Sequence, residues 1–302
     1  MAVALVLGAS GAIGRFLLPR LLAAGDDVLA VSRTPRTSAS ARLHWLQGDL
    51  AHALPPLPPL DALFSCGPLD AFAHWYARTP LQARRIVAIG SMSVDSKQAS
   101  ADPHERDLAA RLREAEQALA ATAHARGSAW TVLRPTLIYG AGVDRSLTPL
   151  VHRARRWRVF PRIAGARGLR QPVHADDLAA ACVAVAARAP CVGRIYPLGG
   201  GERLAFATML ERVRSSLPFR TVPVPLPLPV LRAVIAVAGR AGLSTALVDR
   251  LELDLVADLR DARADFDFAP RPFRPDAACW DAAASFSDDR SVSVDAARRR
   301  LR

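Results

Sequence analysis

The sequence predicts an α/β protein, a parallel sheet doubly wound by helices with a smaller C-terminal lobe. Three observations predict it. Short apolar runs alternate with helical patterns through the first half, a glycine-rich turn joins the first run to the first helix, and the regular alternation loosens after Pro135. Parallel strands need a crossover, and a helix with one apolar face is the usual one.

Ala2–Leu7 is an apolar run of strand length, followed by a glycine loop and a helical pattern from Ala12 to Ala24. Pro19 inside that pattern removes one helical hydrogen bond and predicts a kink. Val28–Ser32, Leu43–Gln47, Ala62–Cys66, Ile86–Gly90 and Trp130–Leu133 read as the next strands. The proline-rich stretch Leu54–Leu60 reads as a rigid extended connector. Between Glu105 and Ala125, Leu108, Leu112, Ala115 and Leu119 recur at helical spacing and place one apolar face against the sheet. Beyond Pro135 follow a helix Asp176–Arg188, a strand Arg194–Leu198, a helix Leu204–Ser215, a proline-rich extended piece and further helices.

Composition bounds the function. A chain of 302 residues, 51% apolar and 23% charged, carries enough apolar surface to offset chain entropy, which excludes a disordered or collagen-like protein. The net charge is +12, and Lys97 is the only lysine, so arginine supplies nearly all the positive charge. Part of that excess reads as compositional bias, yet its field attracts anions. Seven arginines and no acid lie between Val151 and Pro172, and Arg298, Arg299, Arg300 and Arg302 end the chain. Trp157 and Phe160 are the only aromatics among the first cluster and no reading motif accompanies it, which argues against nucleic acid.

The four cysteines have no metal-site or redox-motif spacing, so no metal is expected and free thiols in a reducing cytoplasm are. The N-terminus lacks the basic region of a signal peptide. The longest apolar stretch, Val224–Leu243, is broken by three prolines, Arg232 and Arg240, which argues against a transmembrane segment; a surface-lying helix over Pro229–Gly239 is the alternative.

The strongest local signal is Gly8-Ala-Ser10-Gly11-Ala12-Ile13-Gly14, directly after the first strand and opening the first helix. Glycines there permit a tight turn, close approach of a pyrophosphate to the backbone and close helix–strand packing, with the helix N-terminus facing the phosphates. That is the fingerprint of a Rossmann dinucleotide site, one residue longer than the G-x-G-x-x-G form. At the end of the second strand, where a carboxylate would hold the ribose hydroxyls of NAD, stand Ser32 and Arg33, with Arg36 close behind. Two guanidiniums suit a 2′-phosphate, so NADP is expected ahead of NAD. Asp49 and Leu50 after the third strand are placed at the adenine edge, and Cys66-Gly67 after the fourth under the ribose.

The segments Gly8–Gly14, Gly48-Asp49-Leu50, Arg134-Pro135-Thr136-Leu-Ile-Tyr139-Gly140, Pro172-Val-His174-Ala-Asp176-Asp177-Leu178, Leu198-Gly-Gly and Ala269-Pro-Arg271-Pro-Phe273 occur in this order. Together, over about residues 2–275, they resemble the extended short-chain dehydrogenase/reductase family in its NAD-dependent epimerase/dehydratase branch. The resemblance implies cofactor contacts from the first glycine loop, Cys66-Gly67 and the backbone at Pro135, and a substrate pocket between the lobes with Tyr139 and His174 near it. It divides the chain into an NAD(P)-binding core over residues 1–150, with contributions from about 172–200, a smaller substrate lobe over 151–285 and a basic tail over 286–302.

The catalytic part departs from that family, whose members place a tyrosine four residues before a lysine that lowers its pKa. Ser93 stands four before Lys97, and the tyrosines are Tyr76, Tyr139 and Tyr196, so no Tyr-x-x-x-Lys motif exists. Leu108 and Leu112 stand near the matching helix positions, and Met92 takes the place of the family's serine or threonine, flanked by Ser91 and Ser93. Catalytic candidates are therefore Ser91, Ser93 and Tyr139. Lys97 reads as a surface lysine, with a relay through Ser93 as the alternative. His174 reads as part of a helix start capped by Asp176 or Asp177, with acid–base work as the alternative. The arginines of Val151–Pro172 face either an anionic substrate or solvent.

The expected function is an NAD(P)-dependent oxidoreductase, epimerase or dehydratase acting on a sugar nucleotide or other small carbonyl or hydroxyl compound. The alternative is a catalytically silent NADP(H)-binding regulator or accessory subunit. A homodimer is compatible with either.

Overall fold

Alternation along the first strand decides the layering. In β1 (Val3–Leu7), Ala4 and Val6 point to one apolar cluster while Leu5 and Leu7 point to another, so both faces of this strand are covered. The computed structural model describes residues 2–38, 40–51, 54–163, 165–230 and 250–282. Around β1 run β2 (Asp27–Ser32), β3 (Leu43–Gln47), β4 (Leu60–Ser65), β5 (Ala83–Ile89), β6 (Ala129–Pro135) and, far along the chain, β11 (Arg194–Leu198). They form a seven-stranded sheet in the order β11-β6-β5-β4-β1-β2-β3. Every pairing in it is parallel. The expected doubly wound parallel sheet is therefore the one observed, with its strand order reversing between β1 and β4.

On one face, α1 (Gly14–Ala23) sets Leu17, Leu18 and Leu21 against α6 (Ala175–Ala187), which offers Leu178, Cys182 and Val185. Pro19 lies inside α1. On the other face, α2 (Leu69–Arg78) contributes Phe72 and Tyr76 and α4 (Pro103–Ala125) contributes Leu112, Ala115 and Leu119. The sequence reading did not single out α2, although Leu69, Phe72, Ala73 and Tyr76 already show the helical spacing. Asp102 caps α4 by accepting from the His104 amide, and Pro103 sits where its missing N–H costs nothing.

The smaller lobe is made of β7 (Ile138–Tyr139), α5 (Thr148–Trp157), β8 (Val159–Arg162), β9 (Leu169–Arg170), β10 (Val173–His174), β12 (Leu204–Ala205), α7 (Phe206–Ser215) and β13 (Val222–Pro225), while α8 (Arg260–Phe266) returns to the central sheet and packs Ala262 and Phe266 beside β11 and α6. The first residues of the helix expected from Leu204 are thus the strand β12, paired antiparallel to β9. A third apolar cluster, including Tyr139, Val151, Phe160, Met209, Phe273 and Trp280, holds this lobe together. Most of the expected helix Pro229–Gly239 and the basic tail lie outside the described residues.

One buried ion pair ties α4 to the sheet. Glu116, 3% exposed, receives Arg134 in a fork, Nε to Oε1 at 2.7 Å and Nη2 to Oε2 at 2.5 Å. The carboxylate raises the Arg134 pKa above its ordinary value, with the more exposed Asp95 adding to it. Removing one partner of a buried pair strands the other. Glu116→Ala is expected to lower unfolding free energy by about 2–4 kcal/mol, read from urea denaturation, whereas Asp95→Ala should cost under about 1 kcal/mol. Equal small losses would show that the fork is not structural.

Candidate functional site

The carboxyl ends of the central strands open into one cavity of about 1420 Å³, lined at its base by Leu7, Val31, Ile89 and Pro135. Such a crevice, where the strand order reverses, is where open parallel sheets hold ligands. Gly8 turns the chain out of β1 with φ +73°, and a Cβ there would stand 3.0 Å from the Cys66 carbonyl carbon. Ser10, Gly11, Ala12 and Ile13 then line the cavity. Gly14 does not, because it sits beneath the turn, where a Cβ would fall 2.5 Å from the carbonyl oxygens of Gly8 and Ala9. Its role is close packing rather than ligand contact.

The amino end of α1 has no side-chain cap and no acid in its first turn. An uncapped helix N-terminus over a glycine turn suits a phosphate, through unpaired N–H groups and the helix dipole. Arg33, Asp49, Leu50, Cys66 and Gly67 continue the same wall. Arg36 stands just outside it: its Nε donates to Ser32 Oγ at 3.3 Å and its guanidinium lies 5.4 Å from the Trp45 ring centroid. Arg15, absent from the sequence-based candidates, bridges the loop to the other lobe, donating to the Ser10, Ala141 and Ala282 carbonyls. The residues present therefore fit a dinucleotide.

Farther along, Ser91 and Ser93 both line the cavity, with Met92 between them. Ser91 Oγ accepts from the Ser93 amide at 3.1 Å, opening the short helix α3 (Ser93–Ser96), and the Met92 amide donates to the Pro135 carbonyl. Lys97 is not the surface residue the sequence suggested. Its side chain is 17% exposed, lines the cavity and pairs with Glu105 at 3.4 Å. Glu105 also accepts from Ser100 Oγ and pairs with Arg250 at 2.8 Å.

Of the arginines between Val151 and Pro172, Arg170 alone lines this cavity, joined there by Arg145 and Arg250. Arg170 donates to the carbonyls of Leu169, Leu253 and Arg250 and lies over the Phe206 ring. Burial, then the neighbouring Arg250, pulls its pKa down to about 10. Arg250 Nε is buried with no hydrogen-bond partner. Arg250 has no local signal in the sequence, because its partner Glu105 is distant along the chain, and Lys97, read there with a relay through Ser93 as the alternative, pairs with Glu105.

The order of these segments has its counterpart in a known family. The sequence model described as the NAD dependent epimerase/dehydratase family matches residues 4–77 and 74–199, more than half of the chain. The chain belongs to this family. A relative, NADH dehydrogenase [ubiquinone] 1 alpha subcomplex subunit 9, mitochondrial, from Arabidopsis thaliana, is 28% identical over 259 residues, covering 78% of this chain and 62% of the relative. The chain thus spans less than two thirds of that relative's length. UDP-glucuronic acid 4-epimerase from Bacillus cereus, in complex with NAD, superposes with TM-score 0.68 at 13% identity over 94% of this chain and 98% of that one. UDP-glucose 4-epimerase from Thermotoga maritima, with UDP-glucose, gives TM-score 0.65 at 12% identity over 93% and 98%. At these identities the likeness is one of fold.

Against that family, the centre of this cavity is unusual. Leu108 and Leu112, near the positions matching the tyrosine and lysine, pack into the core beside α2. None of the three tyrosines lines the cavity. The expectation that Tyr139 is catalytic is corrected: it is 1% exposed, edge-on to His174 and Phe273 at 5.0 and 4.8 Å. Burial raises its pKa, which makes it a poorer acid. Gly140, φ +99°, leaves the room that the His174 ring fills, since a Cβ would stand 2.1 Å from Nε2. The Tyr-Gly pair is therefore a packing corner between the lobes.

His174 likewise serves structure. Its Nδ1 accepts from the Asp176 amide at 3.1 Å, so the imidazole itself caps α6, not Asp176 or Asp177. Those carboxylates instead hold Arg271, and Asp176 also holds Arg20. Burial, then Arg271, lowers the His174 pKa. A histidine with a lowered folded pKa adds stability that is complete above its unfolded value, about 6.5, and is lost as pH falls through the folded value. His174→Asn keeps an acceptor for the cap, so it should flatten the decline in stability below about pH 6.5, measured by urea midpoints across pH. An unchanged slope would remove His174 from that linkage.

Proposed function

We propose that the chain is an NADP-dependent oxidoreductase or epimerase/dehydratase, without the usual tyrosine–lysine pair, acting on a small anionic carbonyl or hydroxyl compound. The observation that carries this reading is the continuity of the cavity: from the glycine turn it passes Pro135 and reaches Lys97, Arg170 and Arg250. A protein that only stored a nucleotide would need no extension of the cavity past Pro135 lined by Lys97 and three arginines alongside Asp95, Asp144 and Asp254.

In this reading Gly8, Gly11, Ala12 and Ile13 hold the pyrophosphate at the start of α1, and Asp49, Leu50, Cys66 and Gly67 border the adenosine half. Arg33, supported by Arg36 beside it, pairs with the 2′-phosphate. The cofactor, when bound, supplies hydride exchange at its nicotinamide, for which the Pro135 backbone forms the seat. The hydroxyls of Ser91 and Ser93 hydrogen-bond the substrate oxygen, and Lys97 holds or gives the proton in place of the missing phenol. Glu105 keeps Lys97 positioned. Arg145, Arg170 and Arg250 attract the anionic group of the substrate.

A second reading, a catalytically silent NADP(H)-binding accessory subunit, is favoured by the absence of any Tyr-x-x-x-Lys motif, with Leu108 and Leu112 near the matching positions, and by the name of the Arabidopsis relative. Turnover separates them. Purified protein should reduce carbonyl compounds or sugar nucleotides with NADPH, and Lys97→Met should lower kcat by about two orders of magnitude, the range of general acid–base catalysis, while NADPH binding stays intact. Binding without turnover over a broad panel favours the accessory subunit. In calorimetric titrations Arg33→Ala is expected to weaken NADPH and NADP about tenfold, the scale of one charge-assisted hydrogen bond, and leave NADH and NAD unchanged. Equal losses for both pairs would refute the role of Arg33.

A further inference from the structure

Past Pro135 the wall of the cavity has a chemistry that selects among ligands. We propose, on the reading of this region as the substrate site, that the compound it takes is an apolar carbonyl compound with a single carboxylate, an aryl or alkyl keto acid, and not a sugar nucleotide. Leu137, Val143, Phe206, Leu251, Leu255 and Val256 line the region. Leu137, Phe206, Leu255 and Val256 are half-buried and Val143 is 37% exposed, so apolar surface is left on the wall. Pockets for small organic ligands are of this kind, mostly apolar with a few placed polar groups.

The fold fixes this wall. The Gly168 amide donates to the Leu251 carbonyl and the Leu255 amide to the Leu169 carbonyl, and a Cβ at Gly168 would stand 2.5 Å from the Leu253 carbonyl oxygen. Much of the polar lining is already engaged. Asp95 holds Arg134 at 3.0 Å, and Asp254 accepts from the Leu169 amide at 2.7 Å. Asp144 accepts from the amides of Ser146, Leu147 and Thr148 and from the Thr148 hydroxyl. Thr136 donates its hydroxyl to the Gln171 carbonyl. The Ser91 and Ser93 hydroxyls are left to meet a carbonyl oxygen. Arg250 holds Glu105 and keeps a buried Nε without an acceptor, which a carboxylate beside it supplies.

Charge limits the anionic head to one group. Lys97, Arg145, Arg170 and Arg250 bring the positive charge of this region. Asp95, Asp144 and Asp254 stand against them on the same wall, and Glu105 engages Lys97 and Arg250. Acids and bases come close to cancelling, so nothing there offsets the two or more charges of a diphosphate. A single carboxylate answers the charge of Arg170, whose guanidinium donates to neutral carbonyls. The hydroxyls around a sugar ring would face leucine, valine and phenylalanine without partners, and a buried hydroxyl without a hydrogen bond is costly. An apolar body has no such groups to satisfy.

The test is calorimetric titration of the full chain, loaded with NADP, with 4-phenylbutyrate, an unreactive apolar carboxylate, and with UDP-glucose. 4-Phenylbutyrate is expected to bind at one site and about tenfold or more tightly than UDP-glucose. Val143→Asn and Val256→Asn should each weaken it about tenfold, the scale of a small apolar contact in a pocket. Arg250→Gln should cut its advantage over the neutral 4-phenylbutanol about tenfold, the scale of one charge-assisted hydrogen bond. NADP binding and thermal midpoints of the variants show that each is folded. No binding of 4-phenylbutyrate to the NADP-loaded chain, tighter binding of UDP-glucose, or indifference to both valine substitutions overturns the proposal and leaves the dinucleotide reading standing. Failure of the parent chain to bind NADP at all overturns that reading as well.

Discussion

Everything in this molecule is arranged around one close approach of backbones. Where the chain leaves β1 it passes so near the end of β4 that a Cβ at Gly8 would press on the Cys66 carbonyl, and where α1 begins it passes so near its own turn that Gly14 has no room for one. That proximity aims an uncapped helix N-terminus into the crevice and sets Arg33, Asp49 and Gly67 around it. The parallel sheet is the support for this arrangement, since only a strand order that reverses beside β1 opens a crevice there.

The small lobe completes the cavity through contacts that carry no chemistry of their own. Tyr139, Gly140, His174 and Phe273 form an aromatic corner, and Arg15 straps the glycine loop to Ala141 and Ala282. Arg170 donates to the carbonyls of residues 169, 250 and 253, which holds Arg250 at the cavity wall, where it shares Glu105 with Lys97. A site without a Tyr-x-x-x-Lys pair thus keeps a polar region beyond Pro135, lined by Lys97, Arg145, Arg170 and Arg250 together with Asp95, Asp144 and Asp254.

The inner strands were legible because they are buried on both faces and read as continuous apolar runs; the edge strands β3 and β11, less buried, also fall on the expected residues. The glycine turn was legible because its constraint is local. What was not legible depends on distant partners. Lys97 lies in a polar stretch and reads as solvated, yet its neighbour in space is Glu105, which Arg250 also holds. Tyr139 reads as a catalytic candidate because the resemblance sets the Tyr-Gly segment beside the substrate pocket, but Gly140 makes space for the His174 ring. The cap of α6 went to an imidazole where two aspartates were at hand, because those aspartates are engaged by Arg271 and Arg20.

The central claim is that a dinucleotide occupies the crevice beside β1 and β4, and Gly67 offers a direct measurement of it. Gly67 lines the cavity, and a Cβ there would meet nothing within 4 Å, so Gly67→Val fills ligand space without disturbing the protein. In calorimetric titration the parent chain is predicted to bind NADPH with one site. Gly67→Val is predicted to lose that binding while keeping the same thermal midpoint. Undiminished NADPH binding by a folded Gly67→Val variant, or no binding of any nicotinamide dinucleotide by the parent chain, would contradict the account.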